Sequence, residues 1–238
     1  MVTIGNFFFH YRNGLFPLAY LLVLLPSPEI FADDNLALAA GVFIAFCGQA
    51  LRALTIGLAY IKRGGLNRRV YAEDLVTDGI FAHCRNPLYD GNILMILGLA
   101  VAINSLWSLV ISTVFFLFAY RAIVAAEEAF LAKKFGGQFT NYCHRVPRFA
   151  IRLKGLGETI GSMEFRWRRL IVKEYGTTFA WIVGLILSLY LRRHIFGYNY
   201  DFSLRIPLDT VLAVALFAAA ILYSIARFLK KTRRLQAD

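Results

Sequence analysis

Long apolar runs constrain this chain more than any other feature of it. An apolar helix needs roughly 17 to 25 residues to cross the hydrocarbon layer of a bilayer. Six segments reach or approach that length: Gly5–Leu25, Leu36–Ile61, Leu88–Ile103, Leu106–Ala126, Tyr175–Leu191 and Ile206–Ala226. Composition agrees, with 58% hydrophobic and only 17% charged residues and a mean hydropathy of +0.57, whereas soluble chains carry about a quarter charged residues. The expected class is an all-α polytopic membrane protein of about six transmembrane helices. The third run is short, and only Asn104-Ser105 separates it from the fourth. The pair therefore reads as a tight antiparallel helical hairpin, with Pro87 in the first turn of its leading helix.

A formal charge of +11 can signal nucleic acid, but its distribution along this chain argues otherwise. Alternating the spans puts 21 of the 26 Lys and Arg residues on one side: Arg12, five in Lys62–Arg85, ten in Lys133–Lys173 and five in Arg227–Arg234. The other side holds Arg192, Arg193 and Arg205, with the acidic Glu29/Asp33/Asp34 loop. The positive-inside bias then places both termini and both long loops in the cytoplasm. Pro26-Ser27-Pro28 reads as a turn between spans rather than a cleavage site, so the first helix is expected to stay as an anchor. Cys47, Cys84 and Cys143 form no CxxC pair, and two of them fall in loops assigned to the reducing side, so no disulfide framework is expected.

The loops Lys62–Pro87 and Lys133–Glu174 are too long and too rich in aromatic residues to be plain connectors. They are expected to fold together as a cytoplasmic cap. Three parts follow: an N-terminal helix and outer loop (1–35), a core of three spans with the two loops (36–154), and a basic interfacial segment with two further helices (155–238). Glu127-Glu128 follows the fourth span close to the membrane boundary, where charge is costly and tends to be paired, cavity-facing or functional. Adjacent helix positions point about 100° apart, so one carboxylate can face a site while the other faces a neighbouring loop or cation.

The stretch from Leu75 to Gly91 contains Thr77-Asp78-Gly79-Ile80-Phe81-Ala82-His83-Cys84-Arg85-Asn86-Pro87-Leu88-Tyr89-Asp90-Gly91. It resembles the cofactor-binding signature of the isoprenylcysteine carboxyl methyltransferase and phospholipid methyltransferase superfamily. In that signature a Gly-aromatic stretch leads into Arg-His/Asn-Pro-x-Tyr and Gly. The second half follows in the same order as Glu127-Glu128, Leu131, Phe135-Gly136, Tyr142 and Val146-Pro147-Arg148-Phe149. The resemblance covers about Leu36–Arg152 and includes the weaker positions Leu51-Arg52 and Gly57. Departures are Asn86 where many members have His, Ile80 where Pro is common, Phe139 for Tyr, and Asp90 where an apolar residue is frequent. Asn in place of His keeps a hydrogen-bonding group but removes a titratable one.

The resemblance implies a membrane methyltransferase that uses S-adenosyl-L-methionine. It assigns cofactor binding to Gly79, Phe81, His83, Arg85, Asn86, Pro87, Tyr89, Gly91, Glu127, Glu128 and Tyr142. The charged groups nearest the chemistry would be Arg85, Glu127, Glu128 and Arg148. The side chains suit that ligand: Arg85 offers a planar fork for a carboxylate, a glutamate can accept from an amino group or a ribose hydroxyl, and Tyr89 supplies a wall and a hydroxyl. The second glutamate can orient Arg85 or Arg148. Methyl transfer asks the protein mainly to position donor and acceptor and to exclude water. A carboxylate acceptor needs no base, whereas an amine must arrive neutral.

The membrane setting implies a lipidic acceptor, either a phospholipid amine or a prenyl-linked carboxylate. Arg166, Arg168, Arg169 and Lys173, interleaved with Phe165 and Trp167, read as a segment attracted to anionic lipid, as do Lys230, Lys231, Arg233 and Arg234. His83-Cys84 and Cys143-His144 lack the usual spacing of metal ligands and are expected to be packing residues, with no metal bound. Two other classes compete. Sterol reductases, which bind NADPH, are similar in this region, and Tyr142-Cys143 leans toward them, whereas Glu127-Glu128 follows the methyltransferase pattern. A non-catalytic lipid-binding protein would keep the fold without cofactor affinity.

Overall fold

The computed structural model describes residues 1–59, 70–197, 207–232 and 234. Tyr60, Ile61 and Ile206 of the expected spans, and Lys62, Arg63, Arg68, Arg69, Arg205 and Arg233 of the basic count, lie outside them. The described elements are all helical: α1 (Val2–Leu15), a 3-10 segment (Phe16–Leu24), α2 (Asp34–Leu58), a 3-10 turn (Gly79–Ala82), α3 (Pro87–Ala102), α4 (Leu106–Phe135), α5 (Gly137–Arg145), α6 (Leu156–Ser162), α7 (Trp167–Phe196) and α8 (Leu208–Lys231). Four of these, α2, α4, α7 and α8, are long and apolar enough to cross a membrane, and α3 is a shorter apolar helix. The fold is the expected all-α polytopic membrane class.

Three elements differ most from their expected bounds, one of them α7, which runs Trp167–Phe196 rather than Tyr175–Leu191 and so takes in much of the basic segment before it. The first apolar run is not one helix: α1 ends at Leu15 and a 3-10 segment carries the chain to Leu24. Pro17 has no N–H to bond the carbonyl one turn back, so the α pattern cannot continue through it unbroken. In contrast, α4 runs well past Ala126 to Phe135. The added residues, from Glu127 through Lys134, are mostly strong helix formers. They end at Gly136, whose φ of +51° breaks the helix and starts α5 at a new angle.

The chain divides into two compact units, Met1–Leu18 with Ala50–Ile93 and Val114–Arg166, and Ala19–Gln49 with Leu94–Thr113 and Trp167–Asp238. In the first, α1 packs on α4 through Gly5, where an added Cβ would overlap the Ala122 carbonyl. The Phe16 ring meets those of Phe116 and Tyr120 edge-on at 5.0 and 5.5 Å. Buried Arg52 on α2 donates to the Leu88 carbonyl at 3.2 Å and to Asn92 Oδ1 at 2.6 Å, fixing the start of α3. Phe139, Tyr142 and Val146 form a small core with Leu75, Leu131 and Phe135, which sets α5 against the extended end of α4.

In the second unit, α2 and α3 approach through small residues. A Cβ on Gly98 would strike Ala45 and the Gly41 carbonyl, and one on Gly41 would strike Ala102, a small-xxx-small contact on both helices. The hairpin turn is held by Asn104, at φ +50°, whose Oδ1 accepts from the Ile30 and Phe31 N–H groups at 2.9 Å. Its Nδ2 donates to the Phe31 carbonyl and to Asp34 Oδ1, so every bond the amide can make is made. Leu38, Ala102, Ile186, Leu189 and Leu212 form the apolar core of this unit. Arg192, expected just beyond a span, is instead fully buried in α7, donating to the Leu25 carbonyl and lying over the Phe196 ring.

Candidate functional site

The candidate site lies within the first unit, where the start of α3, the extended part of α4 and the chain after α5 meet. Asn86 precedes α3, and its carbonyl accepts from Tyr89 and Asp90 N–H at 3.0 and 3.2 Å, while Pro87 occupies the first helical position. This geometry holds Arg85 just outside the helix and Tyr89 and Gly91 within its first turns. The Arg85 N–H bonds the Pro147 carbonyl at 2.9 Å, which brings Arg148 alongside.

Glu128 is the centre of the charge cluster. Its Oε1 lies 3.0 Å from Arg85 Nη1 and accepts from Arg148 Nε at 3.1 Å, and its Oε2 pairs with Arg148 Nη2. The Arg85 and Glu128 side chains are 13% and 14% exposed, against 50% for Arg148. The inner pair is therefore largely withdrawn from water and its attraction is less screened than that of a surface pair. Arg85 Nη1 also points at Cys143 Sγ. Arg85 Nε is buried and has no acceptor among the described residues.

Glu127, one residue earlier on α4, faces elsewhere. It accepts the Tyr89 hydroxyl at 2.8 Å. The Tyr89 ring stacks on Tyr120 with centroids 4.9 Å apart, and Tyr120 stacks in turn on Phe116 at 5.9 Å. Arg12 of α1, which lies over the Phe9 ring at 4.2 Å, is close enough to act electrostatically on Glu127 and Tyr89. Sequence reasoning counted Arg12 only as part of a positive flank, because nothing in a linear pattern links residue 12 to residue 127.

Several of the expected cofactor residues are engaged by the protein itself. The two ring nitrogens of buried His83 meet the Arg152 carbonyl and Thr159 Oγ1, each at 2.8 Å. Tyr142 donates to the Phe81 carbonyl at 2.7 Å, and Asn86 Nδ2 to the Arg148 carbonyl at 2.9 Å. Gly79, at φ +60°, and buried Phe81 shape the turn beneath them. Burial pushes the Tyr142 hydroxyl and the Cys84 and Cys143 thiols up from their ordinary values. All three are protonated near neutral pH and act as hydrogen-bonding or packing groups rather than nucleophiles. Among the described residues, no three His, Cys, Asp or Glu side chains converge as metal ligands.

The donor set can be compared with S-adenosyl-L-methionine. An amino-acid moiety presents an ammonium and a carboxylate two bonds apart, and Glu128 and Arg85 present the opposite charges 3.0 Å apart. The unsatisfied Nε–H of Arg85 is a donor that an incoming carboxylate would take up. Tyr89, stacked on Tyr120 through one face, adds an electron-rich ring of the kind that attracts a cation. The residues present fit the cofactor.

Residues 37–138 match the family model described as phospholipid methyltransferase. Over 79 residues the chain is 40% identical to the cobalt-zinc-cadmium resistance protein CzcN of Cupriavidus metallidurans, a stretch covering 33% of this chain and 36% of that protein. Over 152 residues it is 27% identical to the nickel-cobalt-cadmium resistance protein NccN of Alcaligenes xylosoxydans xylosoxydans, covering 63% of this chain and 69% of that one. The chain thus spans about a third of the first relative and about two thirds of the second. No solved structure matches.

Proposed function

We propose that the protein is an integral membrane methyltransferase that moves a methyl group from S-adenosyl-L-methionine to a lipid or isoprenoid-type acceptor. The observation that carries this reading is the Arg85–Glu128–Arg148 cluster with its unsatisfied Arg85 Nε, of which Arg85 and Glu128 lie inside the segment that matches the phospholipid methyltransferase family. Arg85 would bind the carboxylate of the cofactor and Glu128 its amino group, with Arg148 neutralising the glutamate when the site is vacant. Bound there, the cofactor supplies an electrophilic methyl group on a cationic sulfonium. The chain's own contribution is to bind, to orient and to keep water out.

Two acceptor chemistries remain in play, a phospholipid amine and a prenyl-linked carboxylate. Glu127, hydrogen-bonded by Tyr89, offers a proton acceptor that an amine requires and a carboxylate does not. We place both termini and the site on the cytoplasmic side, because the basic residues concentrate on the segments that carry them. In the first unit, exposed Arg152 and Lys154 flank the exposed Leu153, and in the second, exposed Arg168 adjoins the exposed Trp167, both basic and apolar pairings suited to anionic lipid. The relatives' names describe a resistance phenotype rather than a reaction, and this reading assigns no metal to the chain.

The test has two stages. The detergent-purified protein should gain thermal stability from S-adenosylhomocysteine, and Arg85→Ala should abolish the gain; a shift with NADPH alone, or with neither ligand, overturns the proposal. Membranes incubated with methyl-labelled S-adenosyl-L-methionine should then yield a labelled lipid whose mass identifies an amine or a carboxylate acceptor.

A further inference from the structure

Asp90 is one of the departures from the motif, a carboxylate where an apolar residue is frequent, and its surroundings show what it holds. Its Oδ2 accepts the Ala150 N–H at 2.9 Å and the Cys84 thiol at 3.1 Å. Ala150 has a φ of +61°, a left-handed conformation that a side-chain-bearing residue rarely adopts. The thiol is a dependable donor because burial and the neighbouring Asp90 keep it protonated. Two further bonds reach the same stretch from the same loop: Asn86 Nδ2 to the Arg148 carbonyl, and the Arg85 N–H to the Pro147 carbonyl. The Arg152 N–H returns to the His83 carbonyl at 3.1 Å. Residues 83–90 and 147–152 are thereby laced together, and the strained turn lies two residues after Arg148, which pairs with Glu128.

We propose that Asp90 is a positioning residue: by holding Ala150 in its left-handed turn it fixes the backbone that presents Arg148 to Glu128. It touches neither cation directly. An apolar residue at 90 would leave the Ala150 N–H without its acceptor and Ala150 free to relax toward negative φ, which swings the preceding residues out of register with α4. The inference deepens the proposed function, since it rests on the reading of Arg85, Glu128 and Arg148 as the cofactor's charged contacts.

Four proteins test it: wild type, Asp90→Ala, Asp90→Asn and the double variant Asp90→Ala/Ala150→Gly. Asn keeps an acceptor oxygen without the charge, and Gly adopts the left-handed turn without needing to be held there. The first readout is tryptic cleavage after Arg148 in the detergent-purified, ligand-free protein, which does not depend on what the site binds. Asp90→Ala should be cut about tenfold faster, as local opening becomes more frequent, while Asp90→Asn and the double variant return to near the wild-type rate. The second readout, the Kd for S-adenosylhomocysteine at a temperature where all four are folded, should follow the same order. The positioning role is overturned if Asp90→Ala is cut no faster than wild type, or if Ala150→Gly fails to restore it. It is also overturned if Asp90→Asn behaves like Asp90→Ala, which would make the charge the active feature. If cleavage follows the expected order but wild type itself binds no S-adenosylhomocysteine, the positioning role stands and the proposed function falls.

Discussion

Glu127 and Glu128 are consecutive on α4 and serve different partners: Glu127 accepts the Tyr89 hydroxyl at 2.8 Å, and Glu128 takes the guanidinium groups of Arg85 and Arg148. The roughly 100° between neighbouring helix positions separates them, and the extension of α4 to Phe135 gives both a rigid base. Conservative amides should therefore have unequal effects. Glu128→Gln leaves two cations facing no anion, one of them largely buried, and should weaken S-adenosylhomocysteine binding by at least about tenfold, or about 1.4 kcal/mol. Glu127→Gln keeps an acceptor for Tyr89 and should change that affinity by less than about threefold, while slowing methyl transfer to an amine acceptor. Calorimetric titration of both variants, with labelled-methyl turnover, reads the contrast; equal losses of affinity would sink it.

His83 should prove structural. With one ring nitrogen on the Arg152 carbonyl and the other on Thr159 Oγ1, it ties the 3-10 turn before α3 to the start of α6. His83→Phe keeps the ring's bulk but leaves both partners without their bonds, which should cost about 1–3 kcal/mol of stability. Thr159→Val removes one bond and should cost less. Thermal unfolding in detergent should rank them wild type, Thr159→Val, His83→Phe. The reverse order of the two variants would mean that the ring does not bridge these segments.

The sequence made some of this legible and hid the rest for identifiable reasons. Apolar length located α2, α3, α4, α7 and α8 to within several residues, because a bilayer-crossing helix needs a countable run. Counting stopped at clustered charges, so it missed the end of α4, where Glu127 to Lys134 continue the helix on intrinsic propensity, and the start of α7 from Trp167 to Glu174. It also missed the division of the first run at Pro17 and the burial of Arg169 and Arg192, which is decided by what packs on α7. The motif named the groups that converge, Arg85, Glu128 and Arg148, since order along the chain survives folding. It could not show that Asp90 reaches Ala150, or that Arg12 lies near Glu127, because each depends on a contact between segments distant in sequence.

Asn104 carries the hairpin turn, and its loss should be felt through stability. Asn104→Ala would leave the Ile30 and Phe31 N–H groups and the Phe31 carbonyl without their partners, and would place a Cβ residue at φ +50° without the amide that holds it there. A loss of about 2–4 kcal/mol is expected from several orphaned backbone groups together. Asn104→Asp keeps the acceptor oxygen for the two N–H groups but sets a carboxylate against Asp34 and the Phe31 carbonyl. Its deficit should shrink as pH falls and the carboxyl becomes a donor, while that of Asn104→Ala should not. Melting temperatures of both variants at pH 7 and pH 4, each against wild type at the same pH, separate the two.

Helix contacts through glycine give the sharpest contrast, because two otherwise similar substitutions should differ in outcome. A Cβ on Gly98 would press on Ala45 and the Gly41 carbonyl, both backbone-bound and unable to swing aside, so Gly98→Ala must push α2 and α3 apart. Overpacking of this kind typically costs about 1–3 kcal/mol. A Cβ on Gly176, in the interior of α7, meets nothing within 4 Å. Gly176→Ala should then be neutral, or stabilising by up to about 1 kcal/mol, through the helix preference of alanine alone. Thermal unfolding of the two variants under identical detergent conditions reads the difference, and a Gly98→Ala protein as stable as wild type would show that α2 and α3 do not meet as closely as their backbones indicate.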